Sequence, residues 1–410
     1  MNVLVLNSGS SSQKSCLYSI AATPSTDPLP CVWEGKIEWN GSSAHSSIKS
    51  GGTSRHGEIQ AGSRAEYIER LLTSIWTGEA SAISSPKDID VVGHRVVHGG
   101  PRYLEPSIVD SEVTKAIAAV SAFAPLHNRA ELEGMEIAAK LLGKLPQVAV
   151  FDTGFHRTMP PSASTYAGPY EWLEQGIHRY GFHGINHQYC SERAPQLLGR
   201  SSSGLKIVSC HLGNGCSLAA IRDGRSVDTT MGFTPLDGVM MGTRSGSVDP
   251  GILTYLMRQH KLSGEQLDNL LNKKSGLLGL SGISGDMREI LSAIKADHDR
   301  AKLAFAVYVH RLQSAIGSMV GVLGGVDVLI FTAGVGENAP EVRAAVCDNL
   351  AFLGLRIDPQ KNEVASSKRG DSDISADKSR VRTLVICAQE DWMIARACWT
   401  ALNSSTPGKR

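Results

Sequence analysis

The sequence contains no Gly-x-x-x-x-Gly-Lys-Ser/Thr, no Gly-x-Gly-x-x-Gly and no Cys-x-x-Cys. The first two absences disfavour a P-loop and a dinucleotide-binding fold, so a nucleotide would have to be held by another device. The eight cysteines, at 16, 31, 190, 210, 216, 347, 387 and 398, are scattered. They read as reduced thiols of a cytosolic protein rather than a disulfide framework. Charge of one sign is also lacking: the formal net charge is +1. That removes the electrostatic case for nucleic acid or an anionic membrane as partner, while leaving room for a local basic pocket. No apolar run approaches the length of a membrane span. The opening MNVLVLN has no basic n-region, and its apolar stretch is too short for a signal peptide.

What is present is an ordinary globular balance, 41% hydrophobic and 20% charged. At 410 residues, two domains are the natural expectation. Val3-Leu4-Val5-Leu6 reads as a buried strand entering the polar turn Asn7 to Ser12, with a returning strand from Ser15 to Ile20. Residues 21–60, rich in Ser, Gly, Pro and Thr, suggest short strands and exposed loops. Helical patterns span 64–76, 131–142, 300–323 and 388–402, and strand patterns span 90–97, 147–151, 206–210 and 326–331. Strand, small polar turn and strand occurs twice, about 200 residues apart, a weak internal repeat that suggests two related halves. The fold class is α/β with mixed sheets.

Three small-residue turns follow strands: Asn7 to Ser12, His211 to Ser217, and Gly334 to Asn338. Glycine lets backbone N–H groups approach a phosphate, and Ser or Asn adds donors. One such turn is usually only a turn; three in one chain point to phosphate. Polar clusters sit at the ends of apolar runs. Arg95 lies in 93–100, Asp152 follows Phe151, His183 lies between Gly181 and Gly184, and Arg244 lies between Gly242 and Gly246. An arginine in a Gly-rich loop has no packing reason to be there. His183 and His187, four apart, invite a zinc reading, but the flanking glycines and the want of a third ligand disfavour it. His187 is better read as structural, beside a catalytic His183.

With these residues in view, the chain resembles the acetate kinase family, within the superfamily of sugar kinases, Hsp70 and actin. The matching stretches are LVLNSGSSSQKS at 4–15, GHRVVHGG at 93–100, APLHN at 124–128 and FDTGFH at 151–156. They continue with RYGFHGINH at 179–187, HLGNGCSLAAI at 211–221, DTTMGFTPLDGVMMGTRSGSVDP at 228–250, FTAGVGEN at 331–338 and QEDWMIAR at 389–396. They run in family order over nearly the whole chain. Three departures stand out: Ser8 in the first loop, Arg129 after APLHN, and Gln389-Glu390-Asp391 near the C-terminus.

The resemblance implies two ribonuclease-H-like (actin-like ATPase) domains with an interdomain cleft. One would be residues 1–152 completed by 386–410, the other 153–385. It implies reversible phosphorylation of acetate by ATP with Mg²⁺, for which Mn²⁺ can substitute, in a cytoplasmic homodimer formed through the second domain. Arg95, Asp152, His183 and Arg244 match the catalytic residues. Arg95, Val97, Leu126, Phe182 and Pro235 match the acetate site. Ser12, Lys14, His211, Leu212, Gly213, Asn214, Gly215, Asp286, Met287, Arg288, Gly334, Val335, Gly336, Glu337 and Asn338 match nucleotide-binding positions. Asn7 and Glu390 match the metal site, with Asp152 as organiser rather than proton acceptor. Rival readings are propionate or butyrate as the acid, a sugar kinase, and a non-catalytic ATP-binding protein.

Overall fold

Val3, Leu4, Val5 and Leu6 are buried and form the middle of the first strand in a computed structural model of the chain. The structure describes residues 1–9, 12–25, 27–40, 43–60, 62–121 and 128–404. The chain divides into two units, Met1–Gly154 with Gln389–Arg410, and Phe155–Ala388. None of the described helices is long and apolar enough to cross a membrane.

The first unit is built on strands β1 (Asn2–Ser8), β2 (Ser12–Ser19), β3 (Trp33–Asn40), β4 (Ser43–Ser50), β5 (Thr53–Gln60), β6 (Val91–Val96), β7 (Ser107–Ile108) and β8 (Gln147–Phe151). Their order in the sheet is β5-β4-β3-β2-β1-β6-β8-β7. β1 to β5 form an antiparallel meander, whereas β6 runs parallel to β1 and β8 parallel to β6. Alternation sorts the two faces. Leu4, Leu6, Leu17, Trp33 and Ile37 enter one core with Tyr67, Ile68 and Ile137 of two helices, Arg64–Thr73 and Asn128–Leu142. On the opposite face Tyr18 meets Trp392 of the helix Glu390–Ser404.

Residues 21–60 are more regular than their composition predicts, with three strands of eight residues each. Ladder pairing to a neighbour outweighs weak strand propensity. The helix expected over 64–76 begins at Ser63, whose side chain and Glu66 form a reciprocal cap. It ends at Thr73, where the hydroxyls of Thr73 and Ser74 bond the carbonyls of Glu69 and Leu71.

The second unit carries β9 (Lys206–Leu212), β10 (Cys216–Arg222), β11 (Arg225–Thr229), β12 (Val328–Thr332), β13 (Ser372–Asp373) and β14 (Arg382–Val385), in the order β11-β10-β9-β12-β14-β13. β9 to β11 are antiparallel, and β12 runs parallel to both β9 and β14. The connectivity of β3-β2-β1-β6-β8 is thus repeated in β11-β10-β9-β12-β14. The weak sequence repeat is a repeat of topology. The helix Asp299–Leu323 buries Ala301, Ala304, Tyr308, Leu312 and Ile316.

One expectation needs correction: Gly334 to Asn338 is not a tight turn but most of a short helix, Ala333–Asn338. The cause lies downstream. Arg343, fully buried, donates to the carbonyls of Gly336 and Glu337 (2.9 Å each) and, on its other side, to Asn362 and Ala365. Its fork of donors satisfies the carbonyls that a helix end leaves open.

A buried carboxyl group fixes the end of β6. Val97 is the first residue past that strand, and its N–H donates to both carboxylate oxygens of Glu131, at 3.1 and 3.2 Å. Burial pushes the Glu131 carboxyl up to about 8, opposed by the Val97 N–H and by Arg95. The folded protein therefore holds a proton there that the unfolded chain releases near its ordinary value of 4.5. This contribution to stability is fully present below that value and is lost as pH rises through about 8. Glu131→Gln removes the titration. Urea midpoints should show wild type losing more stability than the variant between about pH 5 and about pH 9; parallel pH profiles would contradict the assignment.

Candidate active site

The carboxyl ends of parallel strands gather polar groups because their loops leave the sheet there together. In the first unit Asn7 lies at the end of β1, Arg95 at the end of β6, and Asp152 directly after β8. Arg95 Nε donates to Asp152 Oδ1 (3.2 Å) and Nη2 to Oδ2 (2.7 Å), a two-pronged pair. Its Nη1 donates to Asn7 Oδ1 at 3.2 Å. Those three bonds leave two of the five guanidinium N–H groups for another ligand. Burial works against the Arg95 charge, but Asp152 and Glu390 outweigh it and hold its pKa above the usual range.

Lys14 stands opposite Asn7 in the β1–β2 ladder, and its Nζ lies 2.7 Å from Asp391 Oδ2. Asp391 also accepts a long 3.5 Å bond from Asn7 Nδ2. Its neighbour Glu390 is different: Oε1 is buried with no hydrogen-bond partner among the described residues. A buried carboxylate oxygen without a donor is costly. A hard, oxygen-seeking divalent cation would satisfy it, so Glu390 and the Asn7 amide oxygen fit such an ion. Ser12 is the first residue of β2, and its carbonyl accepts the Gly9 N–H at 2.8 Å. Val97 is buried at the end of β6. Leu126 lies outside the described residues.

The second unit assembles its own set. His183 has a left-handed backbone (φ 55°) and opens the helix Gly184–Leu198. Its Nδ1 is 2.9 Å from Ser217 Oγ on β10, and its ring stacks on His211 at 3.9 Å and 11°. The same hydroxyl is 2.8 Å from His187 Nε2, while His187 Nδ1 meets Ser209 Oγ at 3.0 Å. His187 is fully buried, and burial drives its pKa well below 6.5, so the neutral ring acts as a fixed hydrogen-bonding strut. Two histidines share one hydroxyl, which orients the His183 ring.

The hairpin between β9 and β10 faces this ring. A Cβ on Gly215 would lie 2.7 Å from Arg244 Nη2 and 3.4 Å from His183 Nε2, so a side chain there would displace the guanidinium from its place beside the ring. Arg244 Nη1 donates to the Pro235 carbonyl at 2.7 Å, and no carboxylate pairs with Arg244 among the described residues. Burial lowers its pKa, yet a guanidinium stays protonated. A partly buried cation beside a glycine hairpin, with no carboxylate partner among the described residues, has the charge an anion would complement. Pro235 and the buried Phe182 share this unit, while Val97 belongs to the first.

His211 and Leu212 end β9, and Thr332 pairs with His211 across β12. Gly213 approaches Ala333, which brings the hairpin beside the helix that carries Gly334, Val335, Gly336, Glu337 and Asn338. Glu337 Oε1 accepts the Ala388 N–H, and Asn338 bonds Gly334 and Ser367. Asn214 abuts Gly242, and Gly242 abuts Gly285. Next to Gly285, Asp286 caps the helix Met287–Lys295 and binds Arg288 through both carboxylate oxygens, while Met287 is buried. Sequence reasoning missed Glu131, Ser217 and Asn186, which tether Val97, His183 and His211. A glutamate, a serine and an asparagine acting from neighbouring elements leave no local pattern.

The description "Acetokinase family" fits residues 2–396. Acetate kinase of Cyanothece sp. (strain PCC 7425 / ATCC 29141) is 54% identical over 99% of this chain and 100% of its own length. Acetate kinase of Trichormus variabilis (strain ATCC 29413 / PCC 7937) is 55% identical over 98% and 100%. The crystal structure of Porphyromonas gingivalis acetate kinase superposes with a TM-score of 0.88 at 40% identity, covering 98% of this chain and 99% of that one. A propionate kinase from Francisella tularensis subsp. tularensis SCHU S4 gives 0.87 at 37% identity, covering 97% and 98%. With its motifs, its repeated α/β topology and these relatives in agreement, the chain belongs to the acetokinase family and has the family's actin-like ATPase fold.

Proposed function

We propose that this protein is an ATP-dependent acetate kinase, forming acetyl phosphate reversibly by direct phosphoryl transfer. The observation that carries the reading is Arg244, a cation unpaired by any described carboxylate, flanking Gly215 together with His183. Phosphoryl transfer asks chiefly for alignment and charge neutralisation. Arg244 and His183 would meet the negative oxygens of the transferring group, and the N–H groups of 213–215 would hold the nucleotide's phosphates. Asp286, Met287 and Arg288 with the helix 333–338 would form the nucleoside side. Arg95, pre-oriented by Asp152, would offer its two remaining N–H groups to the acid's carboxylate. That carboxylate is already ionised at neutral pH, so no general base is required.

Mg²⁺, or Mn²⁺ in its place, would be held by Asn7 and Glu390 and would neutralise charge on the nucleotide's phosphates. Val97, Leu126, Phe182 and Pro235 would make the apolar side of the acetate site. We also propose a homodimer through the second unit. The helix Pro250–Gln259 buries no residue although its sequence is amphipathic, leaving Ile252, Tyr255 and Met257 exposed near Val248. The eight free thiols suit a cytoplasmic location.

An ATP-dependent acyl-hydroxamate assay over a series of acids tests the activity. Acetate should give the highest kcat/KM, with propionate weaker because one extra methylene is worth only about 1–3 kcal/mol. Arg244→Ala should cut acetate turnover by roughly 100- to 1,000-fold; near-normal turnover in the folded variant would remove Arg244 from the site. Glu390→Ala should raise the Mg²⁺ concentration needed for half-maximal rate, and an unmoved metal titration would reassign the ion. Sedimentation velocity should return twice the 43.8 kDa chain mass; a monomer at all concentrations would contradict the dimer.

A further inference from the structure

Behind Lys14 and Asp391 lies a cluster that the proposed reaction does not use. Cys16 Sγ, Cys31 Sγ and a Glu34 carboxylate oxygen lie within 4.8 Å of one another. Cys16 is on β2 directly opposite Glu34 on β3, and Cys31 lies two residues before β3 begins. The two thiols are unequally placed: Cys16 is 1% exposed, whereas Cys31 is partly exposed. Cys16 Sγ also donates to Asp391 Oδ2 at 3.5 Å, the oxygen that Lys14 Nζ approaches at 2.7 Å. We propose that Cys16 and Cys31 form a modification site that closes to an intramolecular disulfide in the presence of a low-molecular-weight disulfide, and that closure weakens nucleotide binding through Asp391.

Thiol–disulfide exchange wants an accessible attacking thiolate with a second thiol behind it. Cys31 is the accessible member. Its thiolate attacks one sulfur of the external disulfide, forming a mixed disulfide on Cys31 and expelling one thiolate. Cys16 then attacks the Cys31 sulfur, forming the Cys16–Cys31 bond and expelling the second thiolate, which takes up the Cys16 proton. The protons of the two protein thiols end on the two leaving thiolates. Two protein thiols are oxidised and one external disulfide is reduced to two thiols.

A metal ion is the competing occupant of the same three groups. Lys14 argues against it: its ammonium lies 3.6 Å from Glu34 and 2.7 Å from Asp391, so a cation already sits among the carboxylates. The effect of closure follows from what Asp391 holds. Its Oδ2 loses the Cys16 S–H donor, while Asn7 and Lys14 depend on the same carboxylate for their positions. Both are groups that the kinase reading assigns to metal and nucleotide, and the kinetic part of this proposal rests on that reading. Acetate, held by other residues, should be little affected.

The reduced full-length protein is incubated with oxidised glutathione and its thiols are counted under denaturing conditions. The proposal expects two fewer titratable thiols and a peptide pair linked through Cys16 and Cys31. It also expects a severalfold higher KM for MgATP with the acetate KM unmoved, all reversed by dithiothreitol and absent in Cys31→Ser. An unchanged thiol count, or a stable glutathione adduct on Cys31 that Cys16 never displaces, overturns it. So does stoichiometric Zn²⁺ uptake that shields both thiols and is lost in Cys31→Ser, because the cluster is then a cation site. A disulfide that forms without altering KM for MgATP overturns the coupling through Asp391. Thiol counts and peptide masses do not depend on catalysis, so a failed kinase reading would be seen separately, as reduced protein without phosphoryl transfer.

Discussion

The fork between Arg95 and Asp152 organises the first unit's site. Asp152 is 1% exposed, and a carboxylate at that depth survives as an ion only if it is paired. Breaking such a pair by removing one partner costs about 3–5 kcal/mol, because the other charge is left stranded. A well-packed apolar pair would serve stability at least as well. The pair is therefore better understood as a device that holds one guanidinium in one orientation with two donors to spare. Its geometry needs β1, β6 and β8 to run parallel, since only then do Asn7, Arg95 and Asp152 arrive at the same end of the sheet.

The second unit solves the same problem differently. It uses the same succession of a hairpin and two parallel strands, but among the described residues no carboxylate orients Arg244. A carbonyl, Pro235, steadies one nitrogen, and the missing side chain at Gly215 leaves room for the rest. Orientation of His183 is delegated to Ser217 and, behind it, to a buried neutral His187. The first unit presents an arginine paired with a carboxylate, and the second one that no described carboxylate pairs. This fits the division proposed for them, with Arg95 meeting a single carboxylate and Arg244 meeting the more highly charged phosphoryl group.

Much of this was legible beforehand. Short apolar runs ending in polar, glycine-rich segments marked β1, β6, β8, β9 and β12, because burial and tight turning both leave local composition behind. Arginines and a histidine set among glycines marked Arg95, Arg244 and His183 for the same reason. The stretch 334–338 misled, since its glycines signal a turn while the helix there depends on Arg343, which bonds its last carbonyls from outside. Residues 21–60, read as short strands and loops, hold longer strands than expected, because pairing partners rather than propensity extend them.

By itself the sequence determined the α/β class, the two related halves, the family motifs and the identities of the charged groups. Those follow from periodicity, from spacing and from side chains whose chemistry does not depend on where they fold. Only the tertiary structure decided which groups are committed and which remain available. Asp391 is engaged by Lys14 and Cys16, whereas Glu390, one residue away, has an oxygen with no partner among the described residues. Glu131 reaches Val97 across thirty-four positions, and Cys16 approaches Cys31 and Asp391 together. Such pairings are set by the packing of a helix on a sheet. Neighbours of that kind are distant in the chain, so no local pattern records them.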